Sequence, residues 1–173
     1  MTETLSPALP PDTEALIHQV LEQACARELK LATAESCTGG LVASVLTDVD
    51  GCAHVFDRGF VVYSNEAKRD LLGVPAKLLA DPGPVSEAVA RAMADGALDR
   101  SGAHISVAVT GFTGPAGPGK TPGLVHFALA SRDRRTLHRV EHFGEVDRGA
   151  GRLASLRTAL TLLQAAIADI GAS

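Results

Sequence analysis

The apolar positions of this chain fall into short blocks that alternate between strand-like and helix-like spacing. Strands are predicted at residues 31–35, 55–64, 104–110, 124–131 and 136–143. Helices are predicted at residues 12–30, 39–47, 66–72, 77–80, 87–101 and 148–170. Asp12 or Thr13 is the expected cap of the first helix, and Ser86 is the expected cap of the helix at 87–101.

Strands separated by helices predict a sheet that is covered on both faces. The expected fold is a three-layer α/β/α sandwich with a mixed, mostly parallel sheet, because the last two strands form a hairpin around residues 132–135. Residues 1–11 are polar and contain prolines, so we expect a loose lead-in there. A single domain is predicted over residues 12–173.

The composition of the chain limits the classes of partner and the cellular compartment that we expect for it. The 173 residues carry a net charge of −4, with no block of Lys and Arg and no Trp, which argues against nucleic acid as a partner. Cys25, Cys37 and Cys52 have no CxxC spacing and are predicted to be free thiols in a reducing compartment. No apolar run approaches about 20 residues and no secretion signal is evident, so we expect no membrane span and a cytoplasmic location.

The first candidate site is the turn between the strand at 31–35 and the helix that follows it. Ser36 stands there, followed by Thr38, Gly39 and Gly40. A strand that delivers a small hydroxyl to a helix N-terminus favours a nucleophile beside an oxyanion or phosphate site. The same hydroxyl is also typical of a plain N-cap, and the local sequence leaves both readings open.

Tyr63, Asn65 and Lys68 form a second cluster where the strand at 55–64 runs into a helix. The carboxyl ends of parallel strands meet at one edge of a sheet, so these residues are expected near Ser36. A lysine in the first turn of a helix, partly buried, has a lowered pKa and can act as a base for a serine hydroxyl. The alternative is an ordinary surface lysine.

Four further residues are candidates for the same crevice. Thr110 and Gly111 end the strand at 104–110 at the same predicted edge. Arg148 and Arg152 open the last helix, where they either face solvent or clamp a phosphate or carboxylate.

The loop from Gly114 to Thr121 matches the P-loop pattern GxxxxGK[ST] in its letters. A P-loop requires a helix to begin at its Lys-Thr pair, whereas here Pro122 and Gly123 precede a strand-like run. A phosphotransferase is therefore only a remote alternative, and the structure after Thr121 decides it. The loop's N–H groups could still cradle a phosphate.

Residues 138–142 match the zinc-protease pattern HxxEH. That motif needs a helix, but this segment alternates as a strand, which separates His138 from His142 by roughly 13 Å. We predict solvent-facing histidines on an edge strand and no metal site.

Taken together in order, these motifs resemble the CinA C-terminal domain family, whose enzymatic members are nicotinamide-nucleotide amidohydrolases. The resemblance runs from about residue 12 to residue 170 and is strongest in the heptapeptide AESCTGG at residues 34–40. The other matching segments are residues 62–68, 71–74, 85–86, 93–94, 110–111, 114–115 and 122–125, with Arg148 and Arg152.

The resemblance implies hydrolysis of nicotinamide mononucleotide to nicotinate mononucleotide and ammonia, a reaction of pyridine-nucleotide salvage. It implies that Ser36 attacks the carboxamide and Lys68 takes its proton, without a metal or cofactor. Tyr63 and Thr110 would orient the pair or donate to the leaving group. The substrate-binding residues would be Thr38, Gly39, Gly40, Asn65, Gly111, Gly114 and Arg148.

The resemblance also implies a homo-oligomer. The alternative to an amidohydrolase is a non-catalytic nucleotide-binding module of the same fold.

Several loops depart from the family pattern. Gly51-Cys52-Ala53-His54 stands where Gly-Ser-Ser is usual, Arg58-Gly59 replaces a Gly-Gly pair, Thr113 replaces an alanine, and residues 144–148 contain an apparent insertion.

Overall fold

Six helices and five strands lie within residues 9–132 and 134–170, the part of the chain that the computed structural model describes. In chain order they are α1 (Pro11–Ala26), β1 (Leu31–Glu35), α2 (Leu41–Val45), β2 (Phe56–Val61), α3 (Asn65–Leu72), α4 (Ala76–Ala80), α5 (Glu87–Asp99), β3 (Ile105–Gly111), β4 (Leu124–Ser131), β5 (Arg134–His142) and α6 (Arg148–Ile170).

The five strands form one sheet in the order β2-β1-β3-β4-β5. β1 pairs in parallel with both β2 and β3, and β4 pairs antiparallel with β3 and β5. Among the described strands, β4 alone therefore runs against the others. This confirms the predicted mixed sheet, and β1 is buried along its whole length, as expected of a central parallel strand.

Two separate apolar clusters lie on the two faces of the sheet. On one face α1, α2 and α6 pack with residues such as Leu31, Val107 and Phe127. On the other face α3, α4 and α5 pack with the small residues Ala34 and Ala108. The three-layer α/β/α sandwich is thus confirmed, and consecutive residues of β1 alternate between the layers.

Several element ends differ from the sequence-based expectation. α1 begins at Pro11 without a side-chain cap, so the prediction of Asp12 or Thr13 as its cap is wrong. The helix includes the last position of the expected lead-in; residues 1–8 of that lead-in lie outside the described residues. α2 starts at Leu41 because Gly39 and Gly40 have positive φ angles and cannot belong to a right-handed helix.

The caps of two helices next to the predicted site are well defined. Ser86 caps α5 as expected, its Oγ accepting the Val89 N–H at 3.3 Å. Ser64 caps α3, its Oγ accepting the Ala67 N–H at 3.0 Å. β2 ends at Val61, earlier than the sequence suggested.

One described helix, α6, is long and apolar enough in composition to cross a membrane. Its residues Leu156, Leu160, Leu163 and Ile167 are buried in the core of this domain, however. Core helices of water-soluble domains pass the same test of length and composition. The absence of a membrane span therefore stays a prediction.

Candidate active site

Ser36 directly follows β1 and is held by the sheet itself. Its N–H donates to the Val109 carbonyl of β3 at 3.0 Å, and only 8% of the residue is exposed. The chain then turns through Gly39 and Gly40, which both have positive φ. A Cβ at Gly40 would also lie 3.3 Å from Val61 Cγ2. This turn therefore depends on its glycines to aim Ser36 at the face of the sheet that carries α3.

The side chain of Glu35 holds the same turn from the opposite face. It is fully buried, and its Oε2 accepts the N–H groups of Gly40 and Val42 at 3.0 and 3.1 Å. Its Oε1 accepts the N–H of Ala43 at 2.8 Å. A carboxylate at a helix N-terminus satisfies free donors and complements the helix dipole, so Glu35 caps α2. Sequence reasoning missed this role.

The cap changes which backbone groups remain for an oxyanion. The Gly40 N–H is bound to Glu35, and the Gly39 N–H donates to the Ser36 carbonyl at 3.2 Å. These bonds do not use the N–H of Thr38. An oxyanion site in this turn is thus narrowed to the N–H groups of Cys37 and Thr38, since the Ser36 N–H is bound to Val109.

Lys68 reaches the serine from the first half of α3. Its Nζ lies 3.0 Å from Ser36 Oγ, 2.8 Å from the Val62 carbonyl oxygen and 3.0 Å from the Tyr63 carbonyl oxygen. The residue is 1% exposed, and this burial lowers the pKa of the amine. None of its three hydrogen-bond partners is charged.

This environment suits a neutral amine. A neutral lysine has two N–H donors and one lone pair, and the two carbonyls can take both donors. The lone pair is then left for the Ser36 hydroxyl, which is the arrangement that a general base requires.

The other site residues predicted at this end of the sheet are Tyr63, Thr110 and Asn65. Tyr63 contributes its carbonyl to Lys68, whereas its side chain is 74% exposed. Thr110 is buried beside Ser36 on the neighbouring strand, and its Oγ1 donates to the Pro84 carbonyl at 2.8 Å, which ties β3 to the loop before α5. Asn65 is exposed at the first turn of α3.

Cys37 follows the serine directly and is a second nucleophile to consider. Burial raises the pKa of its thiol to about 12, so the sulfur stays protonated at neutral pH. Since the thiolate is the reactive form, the geometry favours Ser36 over Cys37 as the nucleophile.

A cleft of about 210 Å³ opens next to the pair, lined by Cys37 and Tyr63 together with Gly111, Phe112, Thr113, Gly114, Pro115, Ala116, Gly117, Lys120 and Arg148. Among the described residues its lining contains two cations and no carboxylate. Lys120 Nζ lies 5.2 Å from the centre of the Phe112 ring. The cleft is therefore suited to an anionic ligand. Ser36 and Lys68 are not among the lining residues, but Cys37, which follows Ser36, and Tyr63, whose carbonyl binds Lys68, are.

The N-terminal end of α6 supports this cleft. Arg148 is exposed there, and a Cβ at Gly114 would lie 3.2 Å from Arg148 Cα. Arg152, one turn further, donates from Nη2 to the Thr38 carbonyl at 2.6 Å and so contacts the serine turn. The Thr38 Oγ1 is buried without a hydrogen-bond partner among the described residues.

The two look-alike motifs of the sequence do not form their usual sites. Thr121 is followed by a turn and by β4, so the P-loop helix is absent and the phosphotransferase hypothesis is wrong.

His138 and His142 lie on β5 as expected, but His138 is not solvent-facing. Its ring stacks on His126 with nitrogens 3.0 Å apart, and its Nδ1 lies 3.4 Å from Glu87. No group of three His, Cys, Asp or Glu within residues 9–132 and 134–170 is arranged to hold a metal.

The fold and the site together define a three-layer α/β/α domain with a buried serine–lysine pair at the carboxyl end of its central strand. The sequence model of the CinA C-terminal domain family matches residues 13–167. The chain belongs to this family, which confirms the resemblance found in its motifs.

Named relatives agree with this assignment. A putative competence-damage inducible protein of Symbiobacterium thermophilum is 56% identical over 126 residues, covering 72% of this chain and 30% of the relative. A CinA-like protein of Akkermansia muciniphila is 48% identical over 130 residues, covering 74% of this chain and 31% of the relative. This chain thus spans about 30% of the length of these curated relatives.

Two crystal structures share the fold over nearly their full length. The competence/damage inducible protein CihA from Agrobacterium tumefaciens has a TM-score of 0.88 and 45% identity, covering 95% of this chain and 98% of that one. The competence damage-inducible protein A (ComA) from Klebsiella pneumoniae has a TM-score of 0.85 and 38% identity, covering 90% and 97%.

Proposed function

We propose that this protein is an amidohydrolase that converts nicotinamide mononucleotide to nicotinate mononucleotide and ammonia. The observation that carries the proposal is the buried Lys68 amine 3.0 Å from Ser36 Oγ, with two carbonyls as its other partners. The cationic cleft beside the pair supports an anionic substrate, in which Arg148 and Lys120 would meet the phosphate.

In the first half of the reaction, Ser36 Oγ attacks the carboxamide carbon while its proton passes to Lys68 Nζ. The negative charge on the carboxamide oxygen would be held by backbone N–H groups of the turn, of which Thr38 offers one. The Lys68 ammonium then gives its proton to the leaving nitrogen. Ammonia departs and an ester on Ser36 remains.

In the second half, water attacks the ester carbonyl and Lys68 accepts a proton from that water. The tetrahedral intermediate collapses, the acid product leaves and the proton returns to Ser36 Oγ. One water is consumed and one ammonia released, and no redox step or bound cofactor takes part in this scheme.

Ammonia release from nicotinamide mononucleotide and from related carboxamides tests the proposal. Ser36→Ala and Lys68→Met should each lower kcat by about 10⁴-fold or more, since nucleophile and base act as a unit. Lys77→Met is the matched control, because Lys77 is an exposed lysine on α4. Full activity in both site variants would refute the mechanism.

A second candidate is a nucleotide-binding module without turnover. It is favoured by one observation: neither Ser36 nor Lys68 lines the cleft directly. A rise in Tm with nicotinamide mononucleotide, without ammonia release, would support this candidate over hydrolysis.

The cellular location and the oligomeric state of the protein are also proposals. We expect a cytoplasmic homo-oligomer, and size-exclusion chromatography with light scattering would give its mass in solution.

A further inference from the structure

Thr113 lies against the turn that carries the proposed nucleophile, although it belongs to the loop between β3 and β4. The residue is 1% exposed, and its Oγ1 donates to the Cys37 carbonyl at 3.5 Å. It also lines the cleft. Thr113 stands where the family pattern has an alanine, so this chain has a hydroxyl at a position where a methyl group is usual. The proposed hydrolysis gives this hydroxyl no role.

The contact acts on one particular peptide unit of the serine turn. The Cys37 carbonyl and the Thr38 N–H belong to the same peptide bond, which is planar and trans, so the two groups point in opposite directions. A hydroxyl that holds the carbonyl therefore sets the direction of the N–H. Within residues 9–132 and 134–170 this N–H donates to no other group, which leaves it free for a ligand.

The next peptide unit of the turn is held by other contacts. The Thr38 carbonyl accepts from Arg152 Nη2 at 2.6 Å, and the Gly39 N–H donates to the Ser36 carbonyl at 3.2 Å. Both groups of this unit are therefore occupied. Thr113 is consequently the contact that fixes the peptide unit whose N–H stays free.

The backbone that carries Thr113 is itself fixed by α6. A Cβ at Gly151 would overlap with the Thr113 carbonyl oxygen, and a Cβ at Gly114 would lie 3.2 Å from Arg148 Cα. The helix thus packs directly against the backbone of residues 113 and 114. A side chain presented from such a closely packed segment can hold its partner in one geometry, as a supporting group at an active site must.

We propose that Thr113 is a positioning residue for the oxyanion site. Its hydroxyl holds the Cys37 carbonyl so that the Thr38 N–H faces the carboxamide oxygen while Ser36 attacks. The inference rests on the proposed function. A hydrogen bond to a carbonyl also polarises the peptide unit and strengthens donation by its N–H. The 3.5 Å contact is long, and we expect it to shorten as charge develops, since catalytic hydrogen bonds tighten in the transition-state complex.

Thr113→Val tests the role, because it removes the hydroxyl and keeps a side chain of nearly the same shape. With nicotinamide mononucleotide we expect kcat to fall by about tenfold, less than the roughly 10²–10³-fold loss for removing an oxyanion donor itself, at a nearly unchanged KM. Thr113→Ser keeps the hydroxyl and should retain the wild-type kcat. An unchanged kcat in Thr113→Val, or an equal loss in Thr113→Ser, would overturn the proposal.

Two further variants serve as controls. Thr161→Ala is the matched control, because the Thr161 Oγ1 also donates to a carbonyl, that of Arg157 at 2.8 Å, but on the exposed side of α6. It should leave kcat and KM unchanged. Circular dichroism and Tm report whether each variant folds. If Thr113→Val does not fold, Thr113→Ala is measured in its place, and the same loss of kcat is expected.

A thioamide substrate separates positioning of the oxyanion donor from a general effect on the site. Thionicotinamide mononucleotide develops its negative charge on sulfur, which accepts hydrogen bonds weakly. The loss of kcat in Thr113→Val should therefore shrink from about tenfold on the amide to about twofold on the thioamide. A loss of equal size on both substrates would contradict the positioning role.

A fluorophosphonate probes the same donors without a carboxamide substrate. Ser36 Oγ attacks phosphorus, its proton passes to Lys68 and fluoride leaves, while negative charge collects on the phosphoryl oxygen. We expect labelling at Ser36, located by mass spectrometry, to be about tenfold slower in Thr113→Val than in the wild type. Labelling of the wild type without ammonia release would refute the proposed substrate, and the ratio of labelling rates would then decide the role of Thr113. Equal labelling rates, or neither labelling nor turnover in the wild type, would overturn the inference.

Discussion

Lys68 is buried as completely as the leucines of the core, although it carries the one amine in the proposed mechanism. Burial disfavours the charged form because water is replaced by a medium of lower polarity. Its hydrogen-bond partners are two carbonyls and one hydroxyl, and none of them carries a negative charge that would offset the burial of an ammonium ion. Its burial therefore lowers the stability of the fold at pH values below the ordinary pKa of a lysine. A buried lysine of this kind is a candidate functional residue.

The pH dependence of stability tests this reading of Lys68. Since the pKa of Lys68 is lowered in the folded protein, the unfolded chain binds more protons between that lowered pKa and the ordinary value of 10.5. Stability must then increase with pH through this window, and the increase should be missing in Lys68→Met.

Urea unfolding at steps from about pH 7 to about pH 10 measures the effect. The free energy of unfolding of the wild type, minus that of Lys68→Met, should rise with pH. Lys77→Met should follow the wild type throughout. A difference that falls as pH rises would mean that the amine is stabilised in its charged form.

Glu35 gives a second prediction at the scale of a single residue. Glu35→Ala removes the acceptor of three N–H groups at the start of α2, so we expect the free energy of unfolding to drop by about 3 kcal/mol or more. Glu35→Gln keeps an acceptor oxygen and should lose less. Glu22→Ala, an exposed carboxylate on α1, is the control and should change stability by no more than about 0.5 kcal/mol.

The measurement for Glu35 is again urea unfolding, combined with the ammonia-release assay. Loss of activity in Glu35→Gln at unchanged stability would show that the cap also positions Ser36. Unchanged stability in Glu35→Ala would contradict the role assigned to these three hydrogen bonds.

At the scale of elements, the sequence predicts the bounds of a helix or strand correctly where its apolar pattern is strong. β1, β4 and α6 have the predicted bounds, because an unbroken apolar run or a long leucine stripe leaves little choice. The Ser36–Lys68 proximity also followed from pattern, since two parallel strands end at the same edge.

The features that the sequence did not reveal are mostly the directions and partners of individual side chains. Glu35 ends a strand whose pattern says nothing about a carboxylate folding back onto α2. His138 sits on an edge strand, yet α5 covers it and supplies Glu87. Thr110 occupies the expected edge, but its hydroxyl is bound to Pro84. Such partners come from distant elements and have no local signal.

The contact between α6 and the loop after β3 gives a prediction at this scale. A Cβ at Gly151 would lie 2.1 Å from the Thr113 carbonyl oxygen, whereas a Cβ at Gly149 would be 3.3 Å from the Asp147 Oδ1. Both glycines are in α6. Gly151→Ala should therefore destabilise the protein by about 1–3 kcal/mol through overpacking. Gly149→Ala should be neutral or gain up to about 1 kcal/mol in helix propensity.

Thermal unfolding of the two alanine variants distinguishes the predictions. Because Thr113 and Gly114 line the cleft, Gly151→Ala should also raise KM. Equal stability of the two variants would mean that the loop moves away from α6 without cost.

At the scale of the whole molecule, the charge of the cleft is opposite in sign to the net charge of the chain. The chain has a net charge of −4, yet the cleft beside Ser36 presents Lys120 and Arg148. The overall charge would repel the proposed anionic substrate, whereas the two cations of the cleft would attract it.

Lys120→Ala and Arg148→Ala should each raise KM for nicotinamide mononucleotide with little change in kcat, by roughly tenfold for a lost contact of about 1.4 kcal/mol. Nicotinamide riboside, which lacks the phosphate, provides the matched comparison, and its KM should not respond. Arg135→Ala, an exposed arginine on β5, controls for the loss of positive charge. Equal effects on both substrates would place the phosphate elsewhere.

Glu35 and Ser36 are adjacent in the chain but serve different layers of the sandwich. The carboxylate anchors α2 among the helices of one face, and the hydroxyl meets α3 on the other. A designer could therefore alter the α3 layer around Lys68 while leaving the three hydrogen bonds between Glu35 and α2 intact. Redesign of the cleft, in contrast, would involve both layers, since Arg148 belongs to α6 on the face that carries α2.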